Sequence, residues 1–261
     1  MQIGAMNHPG KDPIAEITWF GEHGFDFVDF TLEPPCAGPD DIDPAAIKDA
    51  LARHGLGVVA HCAWYIPLSS PLSGLRRAAL NEFRRSLKAA HAIGAAVMNT
   101  HYMSAPPLFR PEKTVEWTVE TLAPLCREAA ELGITIVLEN TPAQGGNQLE
   151  NLVAIMERVP LLRFHLDSGH TKLERSYDRF DEYLKKLGHK LRHVHLSEND
   201  GTFDQHLPLG AAPRSRTDWP SHIKKLKATG YDGTISLEIF AEHRQYLLLS
   251  QDLLKQWWAE A

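Results

Sequence analysis

Cysteine is scarce in this chain: Cys36, Cys62 and Cys126 stand far apart and never in CxxC spacing. That argues against a disulfide framework and against a thiolate zinc site, and makes a reducing cytoplasm the expected compartment. Long apolar runs are missing as well. No stretch approaches the roughly 18 apolar residues of a membrane helix, and the opening MQIGAMNHPGKDP has neither the basic nor the apolar segment of a secretory signal. Positive charge is in short supply. The 27 Lys and Arg against 33 Asp and Glu give a formal charge of -6 and a sequence pI near 6.1. Such a chain is a poor global match for nucleic acid, and only a local basic patch would offer a route to it.

What is present is a repeating alternation. Hydrophobic content of 43% and charged content of 23%, without a low-complexity tract, belong to a folded soluble protein. Short apolar runs rich in β-branched and aromatic residues recur at 2–6, 25–32, 57–64, 95–102, 134–140, 162–167, 191–197 and 234–240. Between them lie helix-like stretches such as 74–94 and 112–133, each stopping at a glycine. Strict βα alternation, about 30 residues to a unit, predicts parallel strands joined by right-handed helical crossovers. Eight units over 261 residues predict an α/β fold, a single (β/α)8 TIM barrel spanning 1–261, with an open doubly wound sheet as the alternative. The Pro-rich pieces LEPPCAGPDDIDP (32–44) and MSAPPLFRP (103–111) follow strands directly and read as loops of the barrel, not as linkers.

A barrel concentrates its chemistry at the C-terminal ends of its strands, and there the residues are systematic. His61 falls at the third run, His101 at the fourth and Glu139 at the fifth. Asp167 closes the sixth with His170 three residues on, His195 lies near the end of the seventh with Asp204 and His206 in the loop beyond, and Glu238 falls in the eighth. Any one of these alone reads as a rim or capping residue. Glu139, Asp167, His195 and Glu238, however, come from four consecutive strands converging on one mouth, where buried carboxylates need pairing or a cation. Mixed imidazole and carboxylate ligands suit zinc, manganese, iron or cobalt. The four could hold one divalent ion, and His61, His101, His170, Asp204 and His206 could add metal positions, up to three in all, or bind substrate oxygens. Period-two alternation places His165 and His193 one layer deeper. Cys62 should face the helix layer as inert packing.

Taken together, GFDFVDFTLEPP, VVAHCAWYIPLSSP, VLENT, HLDSGH, HVHLSENDGTFDQHLPLG and YDGTISLEIF resemble the xylose-isomerase-like TIM-barrel superfamily, which contains sugar and sugar-phosphate isomerases and epimerases together with type-2 apurinic endonucleases. The resemblance implies that Glu139, Asp167, His195 and Glu238 are the ligands of a single metal, as in the epimerase branch, with the two glutamates also serving as the acid/base pair. It likewise matches His61, His101, His170, Asp204 and His206 to the extra ligands of a three-zinc endonuclease cluster. Two departures bear on the choice. The loop after the second strand carries Glu33, Asp40, Asp41 and Asp43 and no Lys or Arg, which would repel phosphates; and LGAAPRSR lacks the acidic residue that many epimerase relatives place after the loop glycine. Arg214 and Arg216, with Arg110 and Lys113, are the cations left to meet a phosphate, and Trp64, Tyr65 and Phe109 are candidate walls of a substrate pocket. The expected activity is metal-dependent isomerisation or epimerisation of a sugar or sugar phosphate through an enediolate. The alternatives are a zinc-dependent apurinic endonuclease and a non-catalytic sugar- or metal-binding barrel. The terminal stretch 246–258 reads as a last helix on the barrel, with a dimer contact through Trp257 or Trp258 as the other reading.

Overall fold

The protein is described here from a computed structural model, over residues 1–142, 148–173, 177–212 and 217–261. Eight strands form one closed parallel barrel in sequence order, β1 pairing back onto β8. They are β1 (Gln2–Met6), β2 (Phe27–Leu32), β3 (Gly57–Cys62), β4 (Val97–His101), β5 (Thr135–Glu139), β6 (Arg163–Asp167), β7 (Leu191–Leu196) and β8 (Thr234–Leu237). The helices outside them are α1 (Pro13–Glu22), α2 (Pro44–His54), α3 (Ser73–Ile93), α4 (Pro111–Glu131), α5 (Gln148–Arg158), α6 (Phe180–Leu187), α7 (Trp219–Ala228) and α8 (Gln245–Glu260). This is the (β/α)8 barrel that the alternation predicts.

Local chemistry starts and stops the helices. Asp12 and Asp43 each precede a proline and accept hydrogen bonds from the next two backbone N–H groups, so α1 and α2 begin on a side-chain cap with φ already set by proline. Gly94 ends α3 in the left-handed conformation at φ 92, where a side chain would be strained. Helices α3 and α4 are further tied by Arg76–Glu120 (3.0 Å) and Arg84–Glu128 (2.7 Å).

Inside the barrel the side chains form layers. Phe27, Val59, Val97 and Val137, on β2 to β5, make a dry plug of their own. Gly4 permits it, because a Cβ there would fall 2.5 Å from the Phe27 ring. Two residues further along the same strands, on the same face, come Asp29, His61, Asn99 and Glu139, all 3% exposed or less. The change from apolar to polar within one step of alternation sets the floor of the site. Two expected strands overshoot by more than one residue. The third ends at Cys62 and not Trp64, and the eighth ends at Leu237, which places Glu238 just beyond the sheet. The cause is the end of the neighbouring strand: β7 stops at Leu196, whose carbonyl accepts from the Glu238 N–H (3.1 Å) as the ladder runs out.

Candidate functional site

Glu139, Asp167, His195 and Glu238 meet at the mouth. One ligand atom from each lies within 4.8 Å of all the others, and all four side chains are buried. His195 Nδ1 faces Glu238 Oε2 (3.0 Å) and Asp167 Oδ2 (3.9 Å). Asn99 Nδ2 donates to Glu139 Oε2 (2.8 Å), and Asn140 Nδ2 donates to the Asp167 carbonyl. Asp167 Oδ1 accepts from the His170 N–H (2.9 Å), yet its Oδ2 is buried with no hydrogen-bond partner among the described residues. Three carboxylates around one imidazole, with an oxygen left unbonded, is costly unless a cation joins them. The donor set therefore fits a divalent metal.

Electrostatics agree with that crowding. Burial pushes Glu139 up to about 8 and Asp167 up to about 7, and in both Glu238 adds to the rise. Burial works against protonation of His195, but the Glu238 and Asp29 carboxylates outweigh it and hold the ring well above the ordinary histidine range. Burial would also raise Glu238; His195, His206 and His170 instead hold it well below the usual carboxylate range. A cation and protons thus compete for the same oxygens.

The other candidates fall into two groups. His61 and His101 set their Nε2 atoms 3.0 Å apart beside Glu139 Oε2, and burial lowers His61 to about 4 and holds His101 well below the ordinary histidine range. On the other flank Asp204 Oδ2 lies between His170 Nε2 (2.9 Å) and His206 Nε2 (3.0 Å). His206 takes a left-handed backbone, φ 47, costly for a residue with a side chain, and its ring packs on Phe240. Burial opposes its protonation, but Asp204 and Glu238 raise it to about 9.

Above these groups opens a cavity of about 470 Å3 whose walls include Trp64, His101, Tyr102, His170, His206 and Glu238. Its size suits a small molecule. Trp64 is 63% exposed and lines it. Phe109 instead lies edge-on against Trp117, and Tyr65 bonds Glu33. A larger cavity of about 810 Å3 between the β1 and β8 loops contains Glu16, paired with Arg244, and none of the candidate ligands. Arg214 and Arg216 lie outside the described residues. Lys113 pairs with Glu116 (2.5 Å). The acidic loop after β2 is less repulsive than its sequence suggests, because Asp43 is spent on the α2 cap and Asp40 pairs with Arg85.

Asp29 is absent from the candidates read from sequence. Fully buried on β2, its Oδ2 receives His195 Nε2 (2.8 Å), His193 Nε2 (3.0 Å) and Ser236 Oγ (2.6 Å). Its mid-strand position hides it from the rule that barrel chemistry sits at strand ends; an acidic residue inside the apolar run FDFVDF is the signal the sequence offers. His165 and His193 lie beneath His195, with ring centroids 4.1 and 5.1 Å from it. Cys62 packs in the hydrophobic core, where burial raises its thiol far above the ordinary range.

Comparison with known proteins follows the same architecture. An uncharacterized protein of Methanocaldococcus jannaschii is 29% identical over 255 residues, covering 90% of this chain and 81% of that one. A probable endonuclease 4 of Symbiobacterium thermophilum is 29% identical over 198 residues, 68% of this chain and 69% of its own. A solved structure of a D-tagatose 3-epimerase-like protein superposes with a TM-score of 0.81 at 22% identity, covering 98% of this chain and 97% of that one. Residues 17–260 match the family described as xylose isomerase-like TIM barrel, and the chain belongs to that family.

Proposed function

We propose that the protein is a metal-dependent sugar isomerase or epimerase acting by proton transfer beside a carbonyl. The observation that carries the reading is that Glu139 and Glu238, three strands apart around the barrel, reach one buried nest with Asp167 and His195 beneath a cavity of small-molecule size. Those four residues would hold the cation, which when bound withdraws electron density from a substrate carbonyl and its neighbouring hydroxyl.

The chain's own residues do the rest. One glutamate removes the proton from the carbon next to the carbonyl, giving a planar enediolate, and the other returns a proton from the far side. Return to the opposite face of the same carbon epimerises; transfer to the neighbouring carbon isomerises. Asn99 fixes Glu139 through its 2.8 Å bond, and Asp204 and the Asn140 carbonyl hold the His170 ring in the cavity wall. Trp64 screens the mouth from water. The similarity to the D-tagatose 3-epimerase-like protein supports a carbohydrate as substrate.

A second reading has its own observation. His61–His101 and His170–Asp204–His206 flank the nest as further ligand groups, and the probable endonuclease 4 is among the relatives. Hydrolysis of an abasic-site phosphodiester by a multi-zinc cluster is therefore the rival. The deciding experiment pairs solvent deuterium incorporation into ketoses with cleavage of an abasic duplex, alongside cations counted per chain by elemental analysis in the native protein and in Asp204→Ala. Exchange into sugar, with about one cation retained in the variant, supports the isomerase or epimerase. Duplex cleavage, with two or three zinc ions that fall on substitution, replaces it.

A further inference from the structure

We propose that Asp29 is a positioning residue for the metal centre: it holds His195 by Nε2, so that Nδ1 is the atom this histidine offers to the cation. The inference rests on the metal reading of the mouth and adds a residue of β2 to it.

The geometry allows one arrangement of hydrogens. Asp29 Oδ2 gathers three groups, His195 Nε2, His193 Nε2 and Ser236 Oγ, at 2.8, 3.0 and 2.6 Å, and all four residues are 0% exposed. A carboxylate oxygen only accepts, so each of those atoms carries its hydrogen toward Asp29. For His193 this leaves Nδ1 to accept from Thr234 Oγ1 at 2.7 Å. His195 Nδ1 points at Glu238 and Asp167, into the nest, and the hydrogen it turns toward Glu238 is the one a cation would displace. A half-turn of the His195 ring would present a carbon to Asp29 and strand the buried Nε2–H. The His165 ring packs edge-on against it, with centroids 4.1 Å apart.

A buried carboxylate behind an imidazole fixes its tautomer and raises its basicity toward a metal. Asp29 does this from β2, across the barrel from β7. It also reaches toward His61, whose Nδ1 lies 3.8 Å from Oδ1. An amide in its place keeps the shape and one accepting oxygen but loses the negative charge behind the imidazole, so the ring is held more weakly and is a poorer donor to the cation.

The test reads the metal and not turnover. Protein labelled with 15N-histidine and loaded with 113Cd should show coupling from cadmium to His195 Nδ1, with Nε2 carrying a hydrogen; coupling to Nε2 overturns the proposal. In parallel, chelator competition with zinc should give a Kd ten- to a hundredfold weaker for Asp29→Asn than for the native chain, and an unchanged Kd likewise overturns it. Should Asp29→Asn fail to fold, Ser236→Ala removes one donor to the same oxygen and should weaken zinc binding by a smaller factor, while the cadmium measurement on the native chain decides independently. Cadmium on Nδ1 without proton exchange into any sugar leaves this inference standing and removes the epimerase reading. A chain that takes up no cadmium removes the metal reading and this inference with it.

Discussion

The two flanks of the mouth are built from the same residue types and do not behave alike. The nest on β5 to β8 sets three carboxylates, Glu139, Asp167 and Glu238, around His195. The outer triad sets one carboxylate, Asp204, between His170 and His206. In the nest negative charge exceeds what one imidazole can balance, an arrangement that a cation would relieve; in the triad two imidazoles balance one carboxylate without help. Cation demand is therefore decided by the ratio of acids to histidines and by burial, not by the number of ligand-type residues in reach.

Several substitutions would sharpen or break that contrast. Glu139→Gln and Glu238→Gln should each lower sugar turnover by about 10² to 10⁴-fold, measured as solvent deuterium incorporation, whereas Asp204→Asn should retain most of it; equal losses would erase the distinction between the flanks. Lys172→Met should cost about 3 kcal/mol by denaturant unfolding, because it removes the buried partner of Glu198. A much smaller cost would mean that the outer flank does not depend on that anchor. Proton competition gives a third test. Protons on Glu139 (about 8), Asp167 (about 7) and His195, which is held well above the ordinary histidine range, must leave before a cation binds, so affinity should keep rising with pH through about 8 and fall on acidification. Below pH 7 each displaced proton weakens binding by about tenfold per pH unit; titration calorimetry in two buffers would count the protons released. The smallest effect belongs to Trp64→Ala. It should change stability by less than about 0.5 kcal/mol because the ring is largely exposed, yet raise the KM for sugar.

The barrel was legible because parallel strands and their helices alternate with different periods, and because strand ends carry the polar residues that a mouth needs. The four residues of the nest could be picked out from one rule, that barrel chemistry sits where strands end. The same rule hid Asp29 and Asn99. Strands in a closed barrel are staggered, so the middle of β2 lies level with the ends of others, and depth in the barrel is not distance from the strand's end. Acidic residues after β2 were misjudged for another reason: capping and pairing consume charge, and a sequence does not show that Asp43 is bonded to backbone or Asp40 to Arg85. Glu238 was placed inside a strand because apolar patterning continues past the last ladder bond.

The segment after β7 is closed at its base by paired backbone bonds between Glu198 and Leu207 (2.9 and 2.8 Å), and Glu198 is held by Lys172 and by the Trp219 indole N–H (2.7 Å). Asp204 and His206 are carried just inside that closure, while Gly201, Thr202 and Phe203 form its tip, with Phe203 62% exposed. The tip is thereby insulated from the framework beneath it. Residues can be exchanged or inserted at this exposed tip at little structural cost while Asp204 and His206 keep their places.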